Sequence, residues 1–167
     1  VELVAVCDVI PERASEKAPS VGGNIGEASE LDLSAQTRYL CFSEMLEKEK
    51  LDLVDICTPT HVHAQMTVEA LQAGNNVVCE KPMARTVAQC DEMIAAAEKS
   101  GKMLFIAQCI RFWPEYEVLA KMVGNGDLGQ VKAARFIRQS ATPGWASEGW
   151  LMNPDLAGGA LLDLHIH

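Results

Sequence analysis

The stretch Asn75-Asn76-Val77-Val78-Cys79-Glu80-Lys81-Pro82-Met83 does most to limit what this chain can fold into. Its apolar run, Val77 to Cys79, is continuous rather than alternating, and Gly74 and Pro82 bound it. That pattern predicts a strand covered on both faces, the environment of a parallel sheet with helices packed on it. Pro82 has no backbone donor and stops the strand, so Lys81 is expected at its carboxyl end, where open α/β sheets place their ligands. The tripeptide Glu80-Lys81-Pro82 alone also fits a solvated loop.

The neighbouring segments supply the rest of such a sheet. Val1 to Cys7 and Leu51 to Cys57 read as further strands, closed by Asp8 and by Thr58-Pro59-Thr60. Pro11-Glu12-Arg13-Ala14 suits a helix start, and residues 18 to 36, with Gly22-Gly23-Asn24, read as loop with weak helical pieces. Ser43 can cap a short helix through Glu49, with Glu44 near its N-terminus. A helix from about His63 to Ala73 ends at Gly74. Thr86-Val87-Ala88-Gln89 is a capping box, followed by an apolar face of Val87, Cys90, Ile94 and Ala97. Gly101 ends that helix, Met103 to Ala107 is another buried strand, and Pro114 starts a helix to about Gly124. Alternating strand and helix with short connections is the pattern of an α/β fold with a doubly wound parallel sheet. Beyond Gly124-Asn125-Gly126 the character changes. Val131 to Gln139 carries Lys132, Arg135 and Arg138, which suits a less buried, antiparallel strand. The domain boundary is therefore placed at Gly124, giving residues 1–124 and 125–167.

Charge and length exclude several classes of function. A net charge of −9 argues against nucleic acid or an anionic membrane as the main partner. No apolar run approaches the roughly 20 residues needed to span a bilayer. The acidic Glu2 and Asp8 near the start do not suit a signal peptide. The six cysteines form no CxxC pair, and reduced, buried thiols in a cytoplasmic protein are expected.

Three constellations can carry chemistry. Asp8 ends a strand and can accept hydrogen bonds from an adenosine ribose while repelling a 2′-phosphate, which favours NAD over NADP; it equally suits a turn or helix cap. Thr58-Pro59-Thr60-His61-Val62-His63 opens a helix whose free N–H groups favour polar or anionic atoms. No Cys or carboxylate stands at ligand spacing beside its histidines, so a capping or structural role is expected there. In Gly158-Gly159-Ala160-Leu161-Leu162-Asp163-Leu164-His165-Ile166-His167, a helix would put Asp163 and His167 on one face. A carboxylate orienting a histidine suits a general base; an Asp-x-His-x-His metal cluster is the other reading, which a helix disfavours by turning His165 away. Trp113, Trp145 and Trp150 can stack on a sugar ring or simply pack.

Taken together, Val6-Cys7-Asp8, Asp55-Ile56-Cys57-Thr58-Pro59 with His63, Glu80-Lys81-Pro82, Arg111-Phe112 with Pro114, and Gly158 to Asp163 with His167 resemble the glucose–fructose oxidoreductase/inositol dehydrogenase/MocA-like family of nicotinamide-dependent oxidoreductases. The resemblance implies a Rossmann domain followed by an α+β substrate domain with an open, mostly antiparallel sheet. It implies cofactor contacts from Asp8, Thr58, Pro59, His63, Glu80, Lys81 and Arg111, and catalysis by Lys81, Asp163 and His167 without a metal. The implied reaction is hydride exchange between NAD and a secondary alcohol of a small molecule, a sugar or polyol, in a cytoplasmic homo-oligomer. His167 would take the hydroxyl proton and Lys81 would stabilise the developing alkoxide.

The family's Gly-rich fingerprint, with its first strand and helix, would precede Val1. In the strand order 3-2-1-4-5-6 that strand is central, so a gap is expected between the strands at 1–7 and 51–57. The chain starts without Met and stops in a helix-like run, both ends reading as cut, and most of the substrate domain, another ~150 residues, would follow His167. Such a segment is expected to bind cofactor poorly and turn over nothing. His165 stands where many members have glycine. Two rival readings remain: a non-catalytic nucleotide-binding or regulatory protein on the same fold, and a metal-dependent hydrolase using Asp163, His165 and His167.

Overall fold

The structure, a computed structural model, describes residues 1–18, 31–137, 139 and 147–167. The Gly22-Gly23-Asn24 loop, Arg138 and Trp145 lie outside the described residues. The elements run in the order β1 (Ala5–Cys7), β2 (Lys17–Ala18), β3 (Leu31–Asp32), β4 (Thr37–Tyr39), α1 (Phe42–Lys48), β5 (Leu53–Ile56), α2 (His63–Gln72), β6 (Asn76–Glu80), α3 (Val87–Ser100), β7 (Leu104–Ala107), α4 (Pro114–Asn125), α5 (Pro154–Ala157) and α6 (Gly159–Asp163).

Strand β6 forms where the continuous apolar run predicts it. It is the middle strand of a parallel three-stranded sheet, β5–β6–β7, with Val77 opposite both Val54 and Leu104. Helices α2 and α3 supply the crossovers that parallel neighbours require, and they pack against each other. Between helices and sheet lie Val54, Ile56, Leu71, Val77, Cys79 and Met93, all buried. Each large apolar side chain so enclosed contributes about 1.5–3 kcal/mol. The frame that carries the end of β6 is therefore a packed hydrophobic core.

Strands β1 and β4 pair in parallel, Ala5 opposite Thr37 and Cys7 opposite Tyr39, in a separate sheet. The division between the two parallel sheets falls between the strands at 1–7 and 51–57, where a gap is read from the sequence. A short antiparallel pair, β2–β3, stands outside both. Among the described residues no helix is long and apolar enough to cross a membrane.

Several local expectations are corrected. No helix starts at Pro11. The Asp8 carboxylate accepts from the Ile10 N–H at 2.8 Å, and the Ser15 hydroxyl donates to the carbonyls of Glu12 and Lys17, so side chains take the groups a helix would use. Ser43 is not the cap of α1. The helix begins two residues earlier because Phe42 packs against the core, which makes Cys41 the N-cap, and the Ser43 hydroxyl instead donates to Glu69. In α3 the Thr86 hydroxyl accepts from the Gln89 N–H as expected, but the Gln89 side chain caps Arg85 N–H rather than that of Thr86. The buried face of α3 is centred on Met93 and Ala96, with Cys90 and Ala97 beside them; Val87 is 77% and Ile94 47% exposed. Helix α4, by contrast, runs from Pro114 to Asn125, within one residue of the expected end, and Gly126 follows it in the left-handed conformation, φ 79°. Residues 131–137 are exposed and form no strand among the described residues.

Candidate active site

Lys81 follows β6 directly, and its peptide bond to Pro82 is cis. Its Nζ donates to Oδ1 of Asp163 at 2.7 Å and to the Asp163 main-chain carbonyl at 3.0 Å. Both side chains are only 20% exposed, so the pair is largely withdrawn from water. The Lys81 N–H donates to the Glu80 carboxylate at 3.1 Å, which turns that acid back over the strand end.

Asp163 reaches this position through a chain of local devices. Asn153 caps α5, its side-chain oxygen accepting from the Asp155 N–H at 2.9 Å. Arg85 donates to the Asp155 carbonyl and so ties α5 to the segment after β6. Gly158 and Gly159, with φ of 82° and 80°, then turn the chain straight from α5 into α6. A side chain at Gly158 would put its Cβ 2.4 Å from Leu162 Cδ1, a leucine tip that can turn away, so the turn needs glycine chiefly for its backbone angle.

Helix α6 ends at Asp163, and a turn follows over 164–166. The expectation that Asp163 and His167 share a helical face is therefore corrected: a helix of this length has too few internal hydrogen bonds to propagate. His167 is half-buried beyond the turn, and His165 is exposed. Among the described residues no three His, Cys, Asp or Glu side chains are grouped to hold a metal ion.

Thr58 lies beyond β5, and its Oγ1 is buried without a hydrogen-bond partner among the described residues. Such an orphaned hydroxyl at a parallel strand's carboxyl end suits a polar ligand atom. Asp8 ends β1, with one carboxylate oxygen engaged by Ile10. Arg111 lies exposed in the 3₁₀ turn after β7, Cys109–Phe112. His63 is placed differently from the surface of a cofactor-lining turn: it is 1% exposed, with Nδ1 2.8 Å from the Pro82 carbonyl oxygen and Nε2 2.8 Å from that of Thr58. Nor does it cap α2, whose N-cap is Val62. A groove of about 430 Å³ lined by His61, Gln65, Glu69, Gln72, Gln89 and Glu92 includes neither Lys81 nor Asp163.

Cys57 and Cys79 are not poised as nucleophiles. Burial, with Asp55 beside it, pushes the Cys57 thiol up to about 12; the residue is exposed as a whole, but its sulfur lies 3.5 Å from the Asp55 carboxylate. Burial raises Cys79 to about 11. Sequence reasoning missed Arg85 as the tether of α5; the glycine doublet was the one available signal for the turn beside it.

Comparison with known proteins places the fold in a family. The chain is 39% identical to the D-glucoside 3-dehydrogenase of Escherichia coli (strain K12), over 99% of this chain and 44% of that protein. It superposes on the aldose-aldose oxidoreductase from Caulobacter crescentus complexed with glycerol with a TM-score of 0.67 at 28% identity, over 97% of this chain and 46% of that one. The WlbA dehydrogenase from Bordetella pertussis, in complex with NADH and UDP-GlcNAcA, gives 0.63 at 26% identity, over 77% of this chain and 35% of that one. The chain thus spans less than half the length of each. Residues 1–108 match the model of the oxidoreductase family with an NAD-binding Rossmann fold. The chain belongs to that family, the Gfo/Idh/MocA oxidoreductases.

Proposed function

We propose that this chain carries the cofactor-facing half of an NAD-dependent oxidoreductase acting on a secondary alcohol of a sugar, polyol or related small molecule. The observation that carries this reading is the Lys81–Asp163 pair, held at 2.7 Å at the carboxyl end of the central strand β6. The relatives' own substrates, a D-glucoside and aldoses, support the substrate class.

Asp8, Thr58, Pro59, Glu80 and Arg111 would hold the cofactor, with the orphaned Thr58 hydroxyl as a donor or acceptor for it. His63 supports that surface from beneath. Asp8 favours NAD over NADP, because its carboxylate repels a 2′-phosphate. When bound, NAD supplies the acceptor for the hydride that leaves the alcohol carbon.

The chain's own residues do the remaining work. Lys81 Nζ donates to the substrate hydroxyl oxygen and stabilises the negative charge that grows there. Asp163 orients Nζ and balances its charge in a partly dry site. A ring nitrogen of His167 accepts the hydroxyl proton, so that the alcohol becomes a ketone as hydride and proton depart. In the reverse direction His167 returns the proton.

The test uses the full-length protein. Lys81→Ala and His167→Ala are expected to abolish turnover of a sugar or polyol with NAD while changing NAD affinity only slightly. Turnover that persists in both variants refutes the assignment.

A further inference from the structure

The ring of His63 joins two segments that the strand ladder leaves apart. The β5–β6 register ends with Ile56 opposite Cys79. Beyond it one segment leaves through Thr58 and the other through Lys81 and Pro82. His63 stands between their carbonyls, 2.8 Å from each, at 1% exposure. A ring with one N–H serves one of these oxygens, and a ring with two serves both.

This contact bears on Lys81 through the residue that follows it, Pro82. On the N-terminal side, Lys81 is fixed by the ladder pairing Glu80 with Ala107 and by its own N–H on the Glu80 carboxylate. On the C-terminal side, the fixed point is the Pro82 carbonyl under His63. A lysine stem is flexible, so placement of its ammonium depends on a fixed backbone and a fixed partner. We propose that His63 is a positioning residue: its ring ties the segment leaving β5 to the segment leaving β6 and so holds the peptide from which Lys81 reaches Asp163. The consequence for turnover rests on the function proposed above; the consequence for Lys81 itself does not.

Two variants test this, His63→Phe, which keeps a flat ring without donors, and His63→Gln, which keeps an N–H donor. The chain receives a brief pulse of limiting acetic anhydride, and mass spectrometry reads modification at Lys81, Lys48 and Lys99. With its side chain 20% exposed against 61% for Lys48, Lys81 is the slow site in the unaltered chain. His63→Phe is expected to raise labelling of Lys81 several-fold while Lys48 and Lys99 stay constant, and His63→Gln to fall in between. In the full-length protein the same variants are expected to lower kcat about 10- to 100-fold with little change in KM for NAD, since small misplacements of a catalytic group have effects of that size. Unchanged Lys81 labelling overturns the proposal, and so does an equal rise at all three lysines, which marks general loosening. If His63→Phe fails to fold, His63→Gln decides by the same criteria. A full-length protein without turnover refutes the proposed function, and the labelling result still decides the role of His63.

Discussion

Asp163→Asn removes the charge from Lys81's partner and preserves its shape. Lys81 Nζ and Asp163 Oδ1 are 2.7 Å apart, with each side chain 20% exposed. That places the pair between exposed ion pairs, about 0–1 kcal/mol, and enclosed pairs, whose disruption costs about 3–5 kcal/mol. Asparagine retains an oxygen that accepts from Nζ, and the main-chain carbonyl at 3.0 Å is untouched. The loss is the charge-assisted part of one hydrogen bond, roughly half its strength, plus the cost of a lysine left partly dry. We expect Asp163→Asn to lower stability by about 1–2 kcal/mol and Asp163→Ala by about 2–3 kcal/mol. For a chain of this size the first value corresponds to a fall in Tm of about 3–6 °C. Urea titration followed by circular dichroism measures it. A repeat from ~0.05 to ~0.5 M sodium chloride should leave the difference nearly intact, because a sheltered pair is poorly screened. A loss below about 0.3 kcal/mol, or one that disappears in salt, would show an ordinary surface pair of the exposed class and refute the reasoning.

Two further predictions concern the frame around that pair. Gly158→Ala meets Leu162 Cδ1 at 2.4 Å with φ at 82°; the leucine tip can rotate away, so the backbone strain dominates, at about 1–2 kcal/mol. A thermal melt matching the unaltered chain would show that the α5–α6 turn does not depend on this glycine. Cys57 and Cys79 hold their protons to about 12 and about 11, against 9.0 for an ordinary thiol. The folded state binds those protons more tightly than the unfolded chain, so their contribution is complete below pH 9 and declines as pH rises through 11 to 12. Denaturation midpoints at stepped pH should fall over that window, and replacing both by serine should flatten the slope there.

The sheet was legible where residue type and burial agree. The continuous Val-Val-Cys run between Gly74 and Pro82 forms β6 where expected, but its burial alternates. Val77 and Cys79 are 1% and 0% exposed while Val78 between them is only half-buried, so one face of the sheet is covered and the expected cover on both faces is corrected. The face of α3 was less legible because alanines at 95 to 97 give no size signal for phase. Packing of Met93 against its neighbours then rotates the helix away from Val87 and Ile94. The absence of a helix after Pro11 follows from side-chain bonds of Asp8 and Ser15, which compete with the backbone over a few residues and leave no periodic trace.

For the site, residue identity and residue placement separate. Lys81 and Asp163 lie 82 positions apart, so no local pattern predicts their contact, and only the resemblance to a family linked them. His63 shows the other half of the difficulty. A histidine next to Thr58-Pro59 invites the reading of a ring presented to a ligand, yet its two partners are main-chain carbonyls, groups that every residue carries and no sequence distinguishes. What selects them is geometry: parallel neighbours release their chains side by side at one end of the sheet, and the residue opening the following helix lies beneath both. A donor there meets carbonyls that the ladder no longer serves, whereas an apolar residue would leave them buried and unpaired. The sheet end where open α/β folds place their ligands thus also calls for a group that serves the carbonyls released there, and in this chain the His63 ring lies 2.8 Å from both.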